Sequence, residues 1–116
     1  MTEMHVSQIE GITVVKLVGE LTHVGTPSIE RGFILTIGAL ERAVVDLAGV
    51  TLITTPGITL LIAADRQLRH KGGMLVVTGV TGMVEEVLLD RCRLDAVLNL
   101  ATDVPAGVKL ALGKSQ

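Results

Sequence analysis

The chain is predicted to fold as an α/β domain, with a mixed, mostly parallel sheet of about five strands and about four helices. Three observations carry that prediction. Short apolar runs of β-type residues alternate with longer segments of helical periodicity, which implies right-handed βαβ crossovers. Threonine followed by proline, or by Asp-Val-Pro, marks three helix starts. Hydrophobic residues make up 48% of the 116 positions and aromatics 1%, so the core must be packed from aliphatic side chains, as in α/β layers.

In chain order, Val6–Ile9 and Ile12–Val18 are β-rich and separated by Glu10-Gly11, the turn chemistry of a tight hairpin that makes the first strand antiparallel. Thr26-Pro27 opens a first helix over 27–40, with Ile29, Phe33, Ile37 and Leu40 inward. Gly32 and Gly38 weaken it. Ala43–Leu47 is an apolar run containing one acid, as expected of a central strand covered on both faces. A loop follows, and then Thr55-Pro56 repeats the cap-plus-proline start. In this second helix Ile58, Leu61, Ile62 and Leu68 form the inner face, and Arg66, Arg69, His70 and Lys71 complement the dipole before Gly72-Gly73 ends it. Met74–Thr78 reads as a further covered strand. A helix over 82–91, capped by Thr81, buries Met83, Val84, Val87 and Leu88, with Glu86 and Asp90 sharing its outer face. Ala96–Leu100 is the last strand, and a helix from Thr102-Asp103-Val104-Pro105 ends near Gly113.

The length suits one domain over 1–116, able to bury its apolar surface without disulfides or metal. Ten Lys and Arg against twelve Asp and Glu leave a net charge of -2, and Phe33 is the only aromatic residue. Nucleic-acid binding is therefore not expected, for want of a basic field and stacking rings. No apolar stretch reaches the ~18 residues of a membrane span, and the N-terminus lacks a signal-peptide pattern. The lone Cys92 suits a reducing compartment, so a soluble cytoplasmic protein is expected.

Catalytic candidates mostly dissolve on inspection. His5, His23 and His70 are scattered, none at ligand spacing from another metal-binding residue, so no metal is expected. No strand leads into G-x-G-x-x-G or a phosphate-binding loop, so neither a cofactor nor nucleotide hydrolysis is expected. Cys92, between Arg91 and Arg93, reads as a small packing residue, and the four methionines as core filler. What stands out is Thr54-Thr55-Pro56-Gly57 at the start of the second helix, where free N–H groups favour negative charge. Thr55 either caps the helix or marks a working surface.

The run Val45-Asp46-Leu47-Ala48-Gly49-Val50-Thr51-Leu52-Ile53-Thr54-Thr55-Pro56-Gly57-Ile58 resembles the STAS family of anti-sigma factor antagonists, whose corresponding stretch reads apolar-Asp-Leu-x-x-Val-x-x-Ile-Asp-Ser-Ser-Gly-Leu. Gly19-Glu20-Leu21-Thr22 is similar to the family's Gly-x-Leu-Asp, and the likeness extends over almost the whole chain. It implies a non-enzymatic binding module that docks an anti-sigma factor or serine-kinase-like ATPase through Thr22, His23, Thr54, Thr55, Pro56, Gly57 and Ile58. A bulky charge at Gly57 is then expected to weaken docking more than folding. Thr54 and Thr22 replace family acids, and Pro56 stands where many antagonists carry the phosphorylated serine. The resemblance thus implies binding without the usual switch, or with Thr55 as the acceptor. A different reading is a cytoplasmic STAS subunit that holds the ATPase of a lipid-transport ABC system, since such subunits also have Thr before a non-serine residue. A homodimer is open to either.

Overall fold

Glu10 and Gly11 both take positive φ, 52° and 82°, and turn β1 (Glu3–Ile9) back onto β2 (Ile12–Leu21). That is the backbone a two-residue hairpin loop needs to match strand twist. Both strands outrun their predicted ends, β1 because the antiparallel ladder continues without a break to Glu3 opposite Val18, and β2 because Gly19 to Leu21 pairs on, in parallel, with residues 50–53. In the computed structural model, which describes residues 2–113, the sheet has the order β1-β2-β3-β4-β5. β3 (Arg42–Ile53) is central as predicted, and β4 (Met74–Thr78) and β5 (Asn99–Ala101) continue the parallel set.

Helices α1 (Pro27–Gly38), α2 (Thr55–His70) and α3 (Gly82–Glu85) follow the parallel strands, and α4 (Val104–Ala111) ends the fold. Side chains alternate across the pleat. Val15, Val45 and Val77 face the larger core with Phe33, Leu61 and Leu88, whereas Val14, Val44 and Val76 face a smaller one with Val108 and Ala111 of α4. Met4 and Met74 pack half-buried against these cores, Met83 is exposed, and Met1 lies outside the described residues.

The largest departure is β3, which was expected to stop at Leu47 and instead pairs with β2 as far as Ile53. Lys16 opposes Asp46 but Val18 opposes Gly49, and Gly19 opposes Val50 but Glu20 opposes Leu52, so β3 twice inserts an extra residue. Such bulges reset the alternation that identifies a strand from sequence. The first is held by Asp46, buried in the central strand, whose Oδ1 accepts from Ala48 N at 3.0 Å and from Thr78 Oγ1 at 3.4 Å.

α3 also departs from a regular helix over 82–91, because Glu86–Arg91 is a π-helical turn. Its wider pitch brings Glu86 to Arg91 at 3.6 Å, five residues on, where an ordinary helix would set Glu86 and Asp90 on one outer face. The turn ends with Cys92 N donating to Val87 O, which leaves Cys92 exposed and not packed. Arg93 then adopts the left-handed region, φ 54°, and a 3-10 turn over Leu94–Ala96 displaces the start of β5 to Asn99. Finally, the cations closing α2 act between elements. Lys71 Nζ donates to the carbonyls of Gly38, at the end of α1, and of Leu40 just after it, and Arg69 pairs with buried Asp65 and reaches Val97 O.

Candidate functional site

Parallel strands deliver their following loops to one edge of a sheet, where α/β folds bind ligands and partners. Here Leu21 pairs with Ile53, and Thr54 N donates to Leu21 O at 3.0 Å, so the segment after β2 and the start of α2 lie side by side. The seven residues expected to form a docking loop are thereby brought together. They do not all face outward.

Thr22 is buried, with its Oγ1 accepting from Val24 N and Gly25 N at 3.2 and 3.3 Å and its carbonyl accepting from Thr26 N. In this position a hydroxyl closes the turn as an acid would, and the turn presents His23 and Val24 to solvent. Val24, 76% exposed, went unnoticed in the sequence. Its signal is an apolar residue outside any helical or strand periodicity.

The helix cap falls on Thr54, one residue before the predicted Thr55. Thr54 has extended backbone, φ -130° and ψ -171°, and Ile58 N donates to its carbonyl. Its Oγ1 is buried without a hydrogen-bond partner, so the hydroxyl does not cap. Thr26, before α1, is similarly orphaned, and its own backbone is already helical. Thr55 and Pro56 therefore occupy the first two helical positions, Thr55 exposed and Pro56 half-buried.

Gly57 overturns one expectation. It is buried, and a Cβ there would lie 2.6 Å from Leu21 Cβ and 2.8 Å from both Leu21 O and Ile53 Cγ1. The residue lets α2 rest on the ends of β2 and β3, so a bulky substituent strikes folding first. Ile58 packs half-buried against the larger core.

From Thr55 and Pro56 an apolar groove of about 290 Å³ runs between α1 and α2, lined on the far side by Thr26, Glu30 and Ile34. Ile34 is 46% exposed, out of phase with the buried Ile29-Phe33-Ile37 stripe. Nothing titratable dominates this surface, since its one acid is Glu30 at the rim. His23 stands apart from His5, which is 3.0 Å from Glu3 on β1, and from His70 at the end of α2. Among the described residues no three His, Cys, Asp or Glu converge as for a metal, and no helix is long and apolar enough to cross a membrane. The geometry offers shape and apolar contact for docking.

A family model, the STAS domain, matches residues 3–106. A search of curated proteins finds no match. Among solved structures, an anti-sigma factor antagonist from Mycobacterium paratuberculosis superposes with a TM-score of 0.85 at 20% identity, over 97% of this chain and 95% of that one. SpoIIAA in its unphosphorylated form, an anti-sigma factor antagonist, gives 0.69 at 14% identity over 96% and 98%. Bacillus SpoIIAA in its phosphorylated form gives 0.67 at 18% identity over 93% and 99%. At such identities the likeness is one of fold.

Proposed function

Given that the chain belongs to the STAS domain family, we propose that it is a non-enzymatic docking module of the anti-sigma factor antagonist kind, working in the cytoplasm without the usual serine switch. The observation that carries this reading is exposed Thr55 and half-buried Pro56 at the groove between α1 and α2, with the turn that exposes His23 and Val24 following the adjacent end of β2. The partner is an anti-sigma factor or serine-kinase-like ATPase that covers this surface. Thr22, Thr54 and Gly57 serve it from beneath: Thr22 closes the turn, Thr54 begins the helix and Gly57 seats it.

Pro56 has no hydroxyl to esterify, and its ring removes one of the N–H donors that a helix start would offer a phosphate. Thr54 Oγ1 is buried. Thr55 is the remaining exposed hydroxyl of the loop, so any modification there falls on the docking surface, where roughly -1.5 to -2 charges oppose an apolar contact. Constitutive capture is the reading this loop favours. Thr55 before a non-serine residue also fits the subunit of a lipid-transport ABC system, with the ATPase of that system as partner.

The test is affinity capture from cells of the source organism with the whole chain as bait, followed by mass spectrometry. Wild type is expected to retain an anti-sigma factor or kinase-like ATPase, and Val24→Glu and Ile34→Glu to lose it with folding intact. Retention of a transporter ATPase favours the second reading. A partner unaffected by both substitutions places docking elsewhere.

A further inference from the structure

We propose that a second copy of this chain docks on the free edge of β1, joining the two sheets across a two-fold axis. The two edges of the sheet differ. β5 is three residues long, and a short edge offers little backbone to an incoming strand. β1 is seven residues long, has β2 as its one strand neighbour among the described residues, and keeps an unbroken register from Glu3 to Ile9. Its sequence, Glu-Met-His-Val-Ser-Gln-Ile, contains no proline, lysine or bulge, the devices that normally blunt such an edge.

One face of the strand carries the exposed Glu3–His5 pair, and the other, turned towards α1, presents Met4 and Val6. Val6 is 50% and Leu35 of α1 64% exposed. They belong to one strip. Ser28 Oγ lies 3.5 Å from Thr2 O, and a Cβ on Gly32 would meet Met4 Cε at 3.3 Å, so α1 descends alongside β1. One further turn of helix reaches Leu35, and one further strand repeat reaches Val6 on the same face as Met4. A ladder of seven residues alone falls short of the ~1,200 Å² of a specific interface, so the α1 strip must join it.

The occupant is a second copy because the strand can pair antiparallel with its own image without a repulsive contact. An antiparallel pairing centred on Val6 sets Val6 against its own image, His5 against Ser7, Met4 against Gln8 and Glu3 against Ile9, with no like charges opposed. An in-register parallel pairing would set Glu3 beside Glu3, a repulsive arrangement. The two-fold also points the two carboxyl edges in opposite directions, leaving both docking surfaces free. The pairing therefore stands or falls independently of the docking proposal.

Sedimentation equilibrium of the full chain over a range of micromolar concentrations tests it. The expected result is a monomer–dimer equilibrium between 12.2 kDa and twice that mass, shifted at least tenfold towards monomer by Val6→Lys and by Leu35→Glu and unaffected by Val24→Glu. Both substituted side chains are exposed in the single chain, so an unchanged urea midpoint for the monomeric variants verifies the fold. Amide exchange over Glu3–Ile9 in the wild type, which needs no variant, is expected to slow with concentration. A strict monomer with concentration-independent exchange, or a dimer that survives Val6→Lys combined with Leu35→Glu, overturns the proposal.

Discussion

Gly57 shows how one residue type serves a site from behind. Its missing side chain is occupied by Leu21 and Ile53, so Gly57→Ala is expected to cost about 1–3 kcal/mol through overpacking, read as a lowered urea midpoint with an unchanged slope. Gly57→Arg should cost more. Thr26 presents the opposite case, a hydroxyl inside a residue only 2% exposed that has no partner. Replacing it by an isosteric methyl removes a desolvated polar atom and loses no hydrogen bond, so Thr26→Val is expected to be neutral or to stabilise. A loss above about 1 kcal/mol would reveal a hidden partner for that hydroxyl. On the exposed side, Thr55→Ala is expected to leave both folding and partner capture unchanged, whereas Thr55→Glu, which sets a charge on the surface, weakens capture with stability unaltered. Sequence reasoning could name these positions as one loop. Which of them faced outward depended on where the backbone passed Leu21.

At the scale of elements, the helix starts share a sequence signature but not a mechanism. Asp103 accepts from Ala106 N at 3.0 Å, a side-chain cap, while Thr54 and Thr81 precede their helices in extended backbone without such a bond. Asp103→Ala is therefore expected to cost about 1 kcal/mol and Thr81→Ala much less, by thermal or chemical denaturation. The strand that feeds the site differs from its sequence pattern for a related reason. Asp46 turns its carboxylate on Ala48 N to hold the first bulge of β3, and Gly49–Ile53 then rejoins β2. A period of two cannot be recognised once an extra residue has been inserted twice. The π-helical turn after α3 was hidden similarly, since Val84, Val87 and Leu88 fit an ordinary helix, and the wider pitch is revealed by the Glu86–Arg91 pair and the Cys92 N to Val87 O bond, each spanning five residues.

Across the whole molecule the sheet divides unequal cores. α2 buries Leu60, Leu61, Ala64 and Leu68 against the larger one, whereas α4 covers the opposite face with Val108 and Ala111 and the close approach of Gly107. Native-state amide exchange is accordingly expected to open α4 at lower free energy than α2 and β3, which exchange only by global unfolding. Leu61→Ala, in the larger core, should cost about 2–5 kcal/mol. If α4 proves as protected as β3, the small core is more strongly coupled to the sheet than its buried residues suggest.

The sequence by itself determined the element order, the hairpin at Glu10-Gly11 and the central place of β3, because each rests on local chemistry or on apolar periodicity read over neighbouring residues, while the family came from the likeness of residues 45–58 to a known motif. It also marked Thr54–Ile58 as the segment to watch. Tertiary structure alone decided that Gly57 and Thr22 turn inward, that Ile34 joins Thr55 and Pro56 along one groove, and that β1 has no second strand beside it among the described residues. Those outcomes are set by contacts between segments far apart in the chain, such as Leu21 with Gly57 and α1 with β1. Spacing along a sequence records which side chains can share a face, but not which other element will cover it.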